Sequence, residues 1–208
     1  MIGIVDIGVG NIGSLKHAVY NLGFDYLLIS RGDDISTDQI SHLILPGVGA
    51  YADVMSRVRK NGFEQFLESY VSERKPLLGI CVGMQILGLS GSEPIATKGL
   101  CFVDGHVSKM IETHNFRVPH MGWNELQFQV SHPLLDGVKL NVDFYFVHSY
   151  FYSDINKSQV LATASHGLNE IPAIIAKDNV AGVQFHPEKS QKNGLKILEN
   201  FCNWDTQC

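Results

Sequence analysis

The chain has 208 residues, of which 45% are hydrophobic and 18% charged, and its formal net charge is −5. That length fills one core and fits one domain better than two, and the low charged fraction suits a sheet covered on both faces or a surface kept for a partner. The negative charge, with no Lys/Arg cluster interleaved with aromatics, argues against non-specific nucleic-acid binding.

The first residues, MIGIVDIG, have no basic n-region and no small-residue cleavage site. The most apolar stretch, Pro76 to Leu89, is too short to span a bilayer and contains Gln85. A cytosolic chain is expected, so Cys81, Cys101, Cys202 and Cys208 read as free thiols, one of them a possible nucleophile.

In chain order, Ile2–Asp6 reads as a buried strand and Ser14–Leu22 as a helix. Tyr26–Ile29 and His42–Leu45 read as strands, then Asp53–Arg59 and Phe63–Val71 as helices. Pro76–Ile80 is a strand and Val82–Leu89 a helix. Such alternation implies parallel pairing with helices on both faces. In the second half, Leu100–Met110, Glu125–Val130, Asp143–Val147, Gln159–Ala164, Ala173–Lys177 and Val180–Phe185 read as strands, and Gly194–Asn203 as a closing helix. The expectation is one α/β domain over residues 1–208 with a central, mixed, mostly parallel sheet.

Gly79-Ile80-Cys81-Val82-Gly83 lies between an apolar strand and an apolar helix. It is the thiol form of the nucleophile elbow, a sharp strand-to-helix turn whose neighbours must be small. A thiol there sits at a helix N-terminus, where the macrodipole favours thiolate. The bland alternative is a buried packing cysteine, and the two flanking glycines argue for the nucleophile.

A thiolate needs a base and a group to orient that base. Among nine histidines, only His186 follows an apolar strand and precedes a carboxylate by two residues, in Gln184-Phe185-His186-Pro187-Glu188. Strand alternation would place His186 and Glu188 on one side. Leu45-Pro46-Gly47-Val48-Gly49 is a strand entering a glycine turn, where backbone N–H groups can face a developing oxyanion. Gln85 lies one helical turn beyond Cys81 and faces the same way.

Together, G-x-C-x-G-x-Q and the downstream Q-F-H-P-E resemble the class I (triad) glutamine amidotransferases. In that family the cysteine attacks the glutamine side-chain amide, ammonia leaves, and water hydrolyses the glutamyl thioester. The resemblance implies Cys81 as nucleophile, His186 as base then acid, and Glu188 as orienter. It implies oxyanion donors at Val48, Gly49 and Val82. It also implies substrate contacts at Gly49, Gln85, Glu93, Ser149 and Tyr150, Glu93 holding the α-amino group.

Four segments resemble the glutaminase subunits of imidazole glycerol phosphate synthases: the N-terminal Ile4–Ser14, Pro119-His120-Met121-Gly122-Trp123-Asn124, Tyr145–Tyr150 and His186–Ser190. Such subunits pair with a (β/α)₈ cyclase that consumes the ammonia. This implies a heterodimer, with Asn11, Tyr145 and Lys189 on the partner-facing side near the ammonia exit. Pro119–Asn124 would be an interface or a wall of the site. Two departures stand out: Ser90–Thr97 differs from the Glu-rich segment usual there, and Val82 replaces a common leucine. The N-terminal loop and Lys189-Ser190-Gln191 are also similar to paralogues that supply ammonia for surface-sugar amidation.

A rival reading is a dinucleotide-binding enzyme, because Gly8-Val9-Gly10-Asn11-Ile12-Gly13 satisfies G-x-G-x-x-G, with Asp33 and Asp34 downstream. That reading explains one segment only. No histidine spacing points to a metal, and no cofactor is expected.

Overall fold

The computed structural model describes residues 1–206; Cys208 lies outside the described residues. Apolar runs in the first half form strands β1 (Ile2–Val5), β2 (Tyr26–Ile29), β3 (His42–Gly47) and β4 (Leu77–Cys81). They alternate with helices α1 (Ile12–Asn21), α2 (Tyr51–Lys60) and α3 (Phe63–Ser72). Helix α2 buries Tyr51, Val54, Met55 and Val58, and α3 buries Phe63, Phe66, Leu67 and Tyr70. Both stripes follow the i, i+3, i+4, i+7 spacing that turns one face of a helix to a core.

Beyond β4 come α4 (Val82–Gln85) and the short strands β5 (Ser90–Gly91) and β6 (Thr97–Lys98). Strands β7 (Gly105–Lys109), β8 (His120–Glu125), β9 (Gln127–Phe128), β10 (Asp143–His148) and β11 (Tyr150–Ile155) follow. The chain closes with β12 (Val160–His166), β13 (Asn169–Lys177), β14 (Val180–Val183) and α5 (Gln191–Cys202).

The main sheet has the order β2-β1-β3-β4-β14-β13-β12-β9. Its pairs are parallel from β2 through β14 and antiparallel from β14 to β9. Strands β1, β4 and β14 are buried at every residue, as a parallel sheet sandwiched between helices requires. A ribbon of β10 and β8 and a four-stranded sheet β11-β7-β5-β6 flank this layer. The mixed α/β fold expected from the sequence is the one observed. Among the described residues, no helix is long and apolar enough to cross a membrane.

Several expected elements are corrected. Of Leu100–Met110 only Gly105–Lys109 pairs as a strand. Leu100, Cys101 and Phe102 instead donate their backbone N–H groups to Ile86, Gly88 and Leu87, at 2.8, 3.0 and 2.8 Å. Helix α4 stops at Gln85 rather than Leu89, because Leu87 and Gly88 bond back three residues, to Met84 and Gln85, in a tightened turn. The strand expected at Glu125–Val130 is β8 one segment earlier, followed by the two residues of β9. Strand β8 was hidden because its pattern is inverted: Met121 and Trp123 face out, while His120 is buried. Strand β11 was not anticipated.

Candidate active site

The parallel strands deliver three loops to one edge of the sheet, the carboxyl end where α/β folds form their clefts. Gly47 at the end of β3 lies beside Cys81 at the end of β4. The chain leaving β14 brings His186 to the same edge.

Cys81 has φ 56° and ψ −114°, a strained conformation for a residue with a side chain. The elbow is possible because the residues two positions to either side, Gly79 and Gly83, lack side chains. A methyl on Gly83 would overlap the Leu45 carbonyl, and one on Gly79 would lie 2.6 Å from the Gly83 oxygen and the Met84 Cα. Helix α4 is one turn long, so its dipole offers the thiol less than the sequence implied. The charge beside Cys81 comes from His186.

The His186 ring and Cys81 line the same cleft. His186 Nδ1 is 2.9 Å from Glu188 Oε1. Burial alone would lower the His186 pKa, but the bonds to Cys81 and Glu188 and the charges of both groups raise it to about 9. Strand alternation does not produce this pair. Strand β14 ends at Val183, and Pro187–Lys189 forms a 3₁₀ turn that folds Glu188 back under the imidazole. Ser190 Oγ clamps the turn, donating to the His186 carbonyl at 2.7 Å and accepting from the Tyr145 N–H at 2.9 Å. Asn11 Nδ2 donates to Glu188 Oε1 at 3.4 Å, so the glycine loop after β1 backs the carboxylate. Glu188 Oε2 is buried without a partner.

Cys81 and His186 open onto a cleft of about 450 Å³, lined also by Val48, Gly49, Ala50, Val82, Gln85, Glu93, Pro119, Val147, His148, Ser149 and Tyr150. Every catalytic, oxyanion and substrate residue expected from sequence therefore lines this cleft, except Glu188, which stands behind His186. Gly49 has φ +99° with open space around its α-carbon. Glu93 accepts from the Tyr51 N–H at 3.3 Å, and burial raises its pKa, opposed by that bond and assisted by Asp53.

Gln85 is buried, and its Nε2 donates to the Tyr150 carbonyl at 2.8 Å and to Gln184 Oε1 at 3.0 Å. Gln184 Nε2 in turn points at Cys81 Sγ, 3.9 Å away. Gln184 has no role in the sequence-based expectation; the signal for it is a lone glutamine between apolar Val183 and Phe185, and the structure buries it fully. Lys189 Nζ sits 5.7 Å over the Tyr145 ring, and Trp123 meets the same ring edge-on at 5.8 Å. These three residues form one surface beside the triad, whereas Asn11 points inward at Glu188. Cys101 is an exposed free thiol and Cys202 a buried one. Among the described residues, no group of three or more His, Cys, Asp or Glu could hold a metal ion.

Comparison with known proteins identifies the family and the fold. The model of the family "Glutamine amidotransferase class-I" matches residues 3–204. The chain is 42% identical over 202 residues to "Imidazole glycerol phosphate synthase subunit HisH 2" of Methanococcus maripaludis, covering 97% of this chain and 98% of that one. It is 41% identical over 205 residues to the HisH subunit of Shouchella clausii, covering 97% of each. Among solved structures, one titled "Crystal structure of glutamine amidotransferase" superposes with a TM-score of 0.71 at 20% identity, covering 97% of this chain and 98% of that one. "Structure of PurLQS from Thermotoga maritima" gives 0.72 at 18%, covering 97% of each, and both show the shared fold. With a family model spanning nearly the whole chain and relatives above 40% identity, this chain belongs to the class I glutamine amidotransferases and is an enzyme of that family.

Proposed function

We propose that this chain is the glutaminase subunit of an imidazole glycerol phosphate synthase, acting through a Cys81–His186–Glu188 triad. The observation that carries the chemistry is the single cleft onto which Cys81, His186, Glu93, Val48 and Gly49 converge. The pathway rests on the near-full-length similarity to HisH subunits.

Glutamine enters with its α-amino group toward Glu93 and its amide carbon over Cys81 Sγ. An imidazolium at His186 favours the thiolate, which attacks the amide carbon. The developing oxyanion is met by backbone N–H groups of Val48, Gly49 and Val82. His186 gives its proton to the leaving nitrogen, ammonia departs, and a thioester remains on Cys81. His186 then takes a proton from water, which hydrolyses the thioester to glutamate and regenerates the thiol. Glu188 holds the ring in one tautomer throughout.

Strand β8 presents Met121 and Trp123 at 62% and 48% exposure, next to Tyr145 and Lys189. Exposed large apolar groups beside a catalytic edge are what a partner covers. We assign this face to a (β/α)₈ cyclase that receives the ammonia. Gly49, held at positive φ in open space, allows the peptide flip by which a partner would complete the oxyanion hole. The free subunit is therefore expected to hydrolyse glutamine slowly.

The test is glutamate release from glutamine by the chain alone, and with a (β/α)₈ cyclase and its nucleotide ligand, using Cys81→Ala as control. Strong stimulation that vanishes in Cys81→Ala supports the whole reading. Weak Cys81-dependent activity without stimulation would leave the chemistry and remove the pathway. Activity surviving Cys81→Ala would remove the triad.

A further inference from the structure

The histidines outside the triad are scattered in sequence, yet three of them meet in space. His120 on β8 and His148 at the end of β10 lie opposite each other in register. His120 Nδ1 is 3.1 Å from His148 Nε2, and the His166 ring stacks on His120 with centroids 4.4 Å apart. His120 and His148 are buried, at 4% and 7% exposure.

The partners determine each proton position. His148 Nδ1 is 2.8 Å from the Tyr150 carbonyl, which can only accept, so that nitrogen carries hydrogen. His148 Nε2 then accepts from His120 Nδ1–H. His120 Nε2 accepts from Asn124 Nδ2 at 3.2 Å, and the same amide donates to the Ser165 carbonyl at 2.8 Å. Every donor and acceptor is matched only when both rings are neutral. The surroundings keep them so. Burial, then the nearby His166, lower the His120 pKa to about 4. Burial lowers that of His148 to about 3, against the bond to Tyr150 and with help from the charges of His120, His166 and His186.

The chain of bonds ends on a wall of the glutamine cleft. At Ser149 the backbone passes from the β10–β8 ribbon to the sheet containing β11, and Ser149 and Tyr150 line the cleft. The Tyr150 carbonyl receives both His148 Nδ1–H and Gln85 Nε2–H. We infer that His120 and His148 are positioning residues: they pin the Ser149–Tyr150 backbone and Gln85 in the geometry that binds glutamine. The inference rests on the glutaminase reading and assigns these residues to substrate affinity rather than to bond making.

An affinity label separates binding from chemistry in the chain on its own. 6-Diazo-5-oxo-L-norleucine is a glutamine analogue whose diazo carbon, once protonated, is attacked by the Cys81 thiolate, forming a C–S bond as N₂ leaves. Intact mass against time and concentration yields KI and kinact. An asparagine amide nitrogen superimposes on histidine Nδ1, whereas a glutamine amide reaches only the Nε2 position. His120→Asn and His148→Asn therefore keep the donor that matters, and His120→Gln and His148→Gln lose it. The Gln variants are expected to raise KI by about tenfold with kinact within about twofold, a loss in line with one buried hydrogen bond. The Asn variants should stay within about threefold of the parent. Unchanged KI in the Gln variants would overturn the inference. So would equal losses in the Asn variants, because ring volume rather than the donor would then be responsible. If a Gln variant does not fold by circular dichroism, Asn124→Leu removes the outermost donor; about threefold higher KI is expected, and no change overturns the inference. Absence of glutamine-protectable labelling of Cys81 in the parent chain would instead overturn the glutaminase reading.

Discussion

Glu188 sets a buried carboxylate against the imidazole of His186. Its oxygen 2.9 Å from His186 Nδ1 contributes, with Cys81, to holding the imidazole protonated near neutral pH. Glu188→Gln keeps the shape and removes the charge. General acid–base contributions run at about 10²–10⁴-fold, so glutamine turnover should fall on the order of 10²-fold or more with little change in KM. Steady-state kinetics of the stimulated enzyme would check this, and a variant within a few-fold of the parent would contradict the orienting role. The pairing itself was anticipated from the two-residue spacing. The means was not: a strand was expected, and a proline-led 3₁₀ turn does the work, because Pro187 lacks the N–H a strand would use.

The elements around the cleft tolerate change very unevenly. Gly83 packs against the Leu45 carbonyl, so Gly83→Ala must push apart β3 and α4. Overpacking of this kind costs about 3 kcal/mol, and a denaturant midpoint lowered accordingly is the expected readout. Gly49 has room for a methyl but sits at φ +99°. Gly49→Ala should cost about 1–2 kcal/mol of local strain, yet lose activity on the order of 10²-fold by hindering formation of the oxyanion hole. Stability and glutamate release measured on both variants would separate the roles, and a fully active Gly49→Ala would argue against a flip at that turn. The G-x-C-x-G pattern disclosed the elbow because close approach leaves only glycine as an option. The extent of α4 stayed hidden because the apolar run to Leu89 fits a helix and a tight turn equally well.

For the whole molecule, the histidines set opposing limits on stability. His186 has its pKa raised from 6.5 to about 9, so its contribution is complete below 6.5 and is lost as pH rises toward 9. His120 and His148 are lowered from 6.5 to about 4 and about 3, so the unfolded chain takes up protons first and stability falls as pH drops below 6.5. A maximum near pH 6.5 follows, and denaturation midpoints at pH 5, 6.5 and 8.5 would reveal it. His186→Gln should flatten the alkaline limb; a midpoint climbing steadily to pH 8.5 would contradict the assignment. On the outer face, Trp123→Ala should weaken cyclase binding at least tenfold, about 1.4 kcal/mol, while leaving the thermal midpoint nearly unchanged. Titration calorimetry with the cyclase would decide it.

The alternation of apolar runs and amphipathic stretches, and the small residues around Cys81, are local requirements, so the parallel half of the sheet and the sharp turn at Cys81 could be read from residue order. The same holds for His186 and Glu188, whose partnership spans two residues. What tertiary structure decided are the contacts between segments distant in sequence. Gln184 reaches Gln85 across 99 positions, and His148 meets His120 across 28. Strand β8 turns Met121 and Trp123 outward and buries His120, an orientation that hydrophobic pattern misreads. Polar groups buried by such pairings follow no sequence period, since their positions are set by which strands the fold brings side by side.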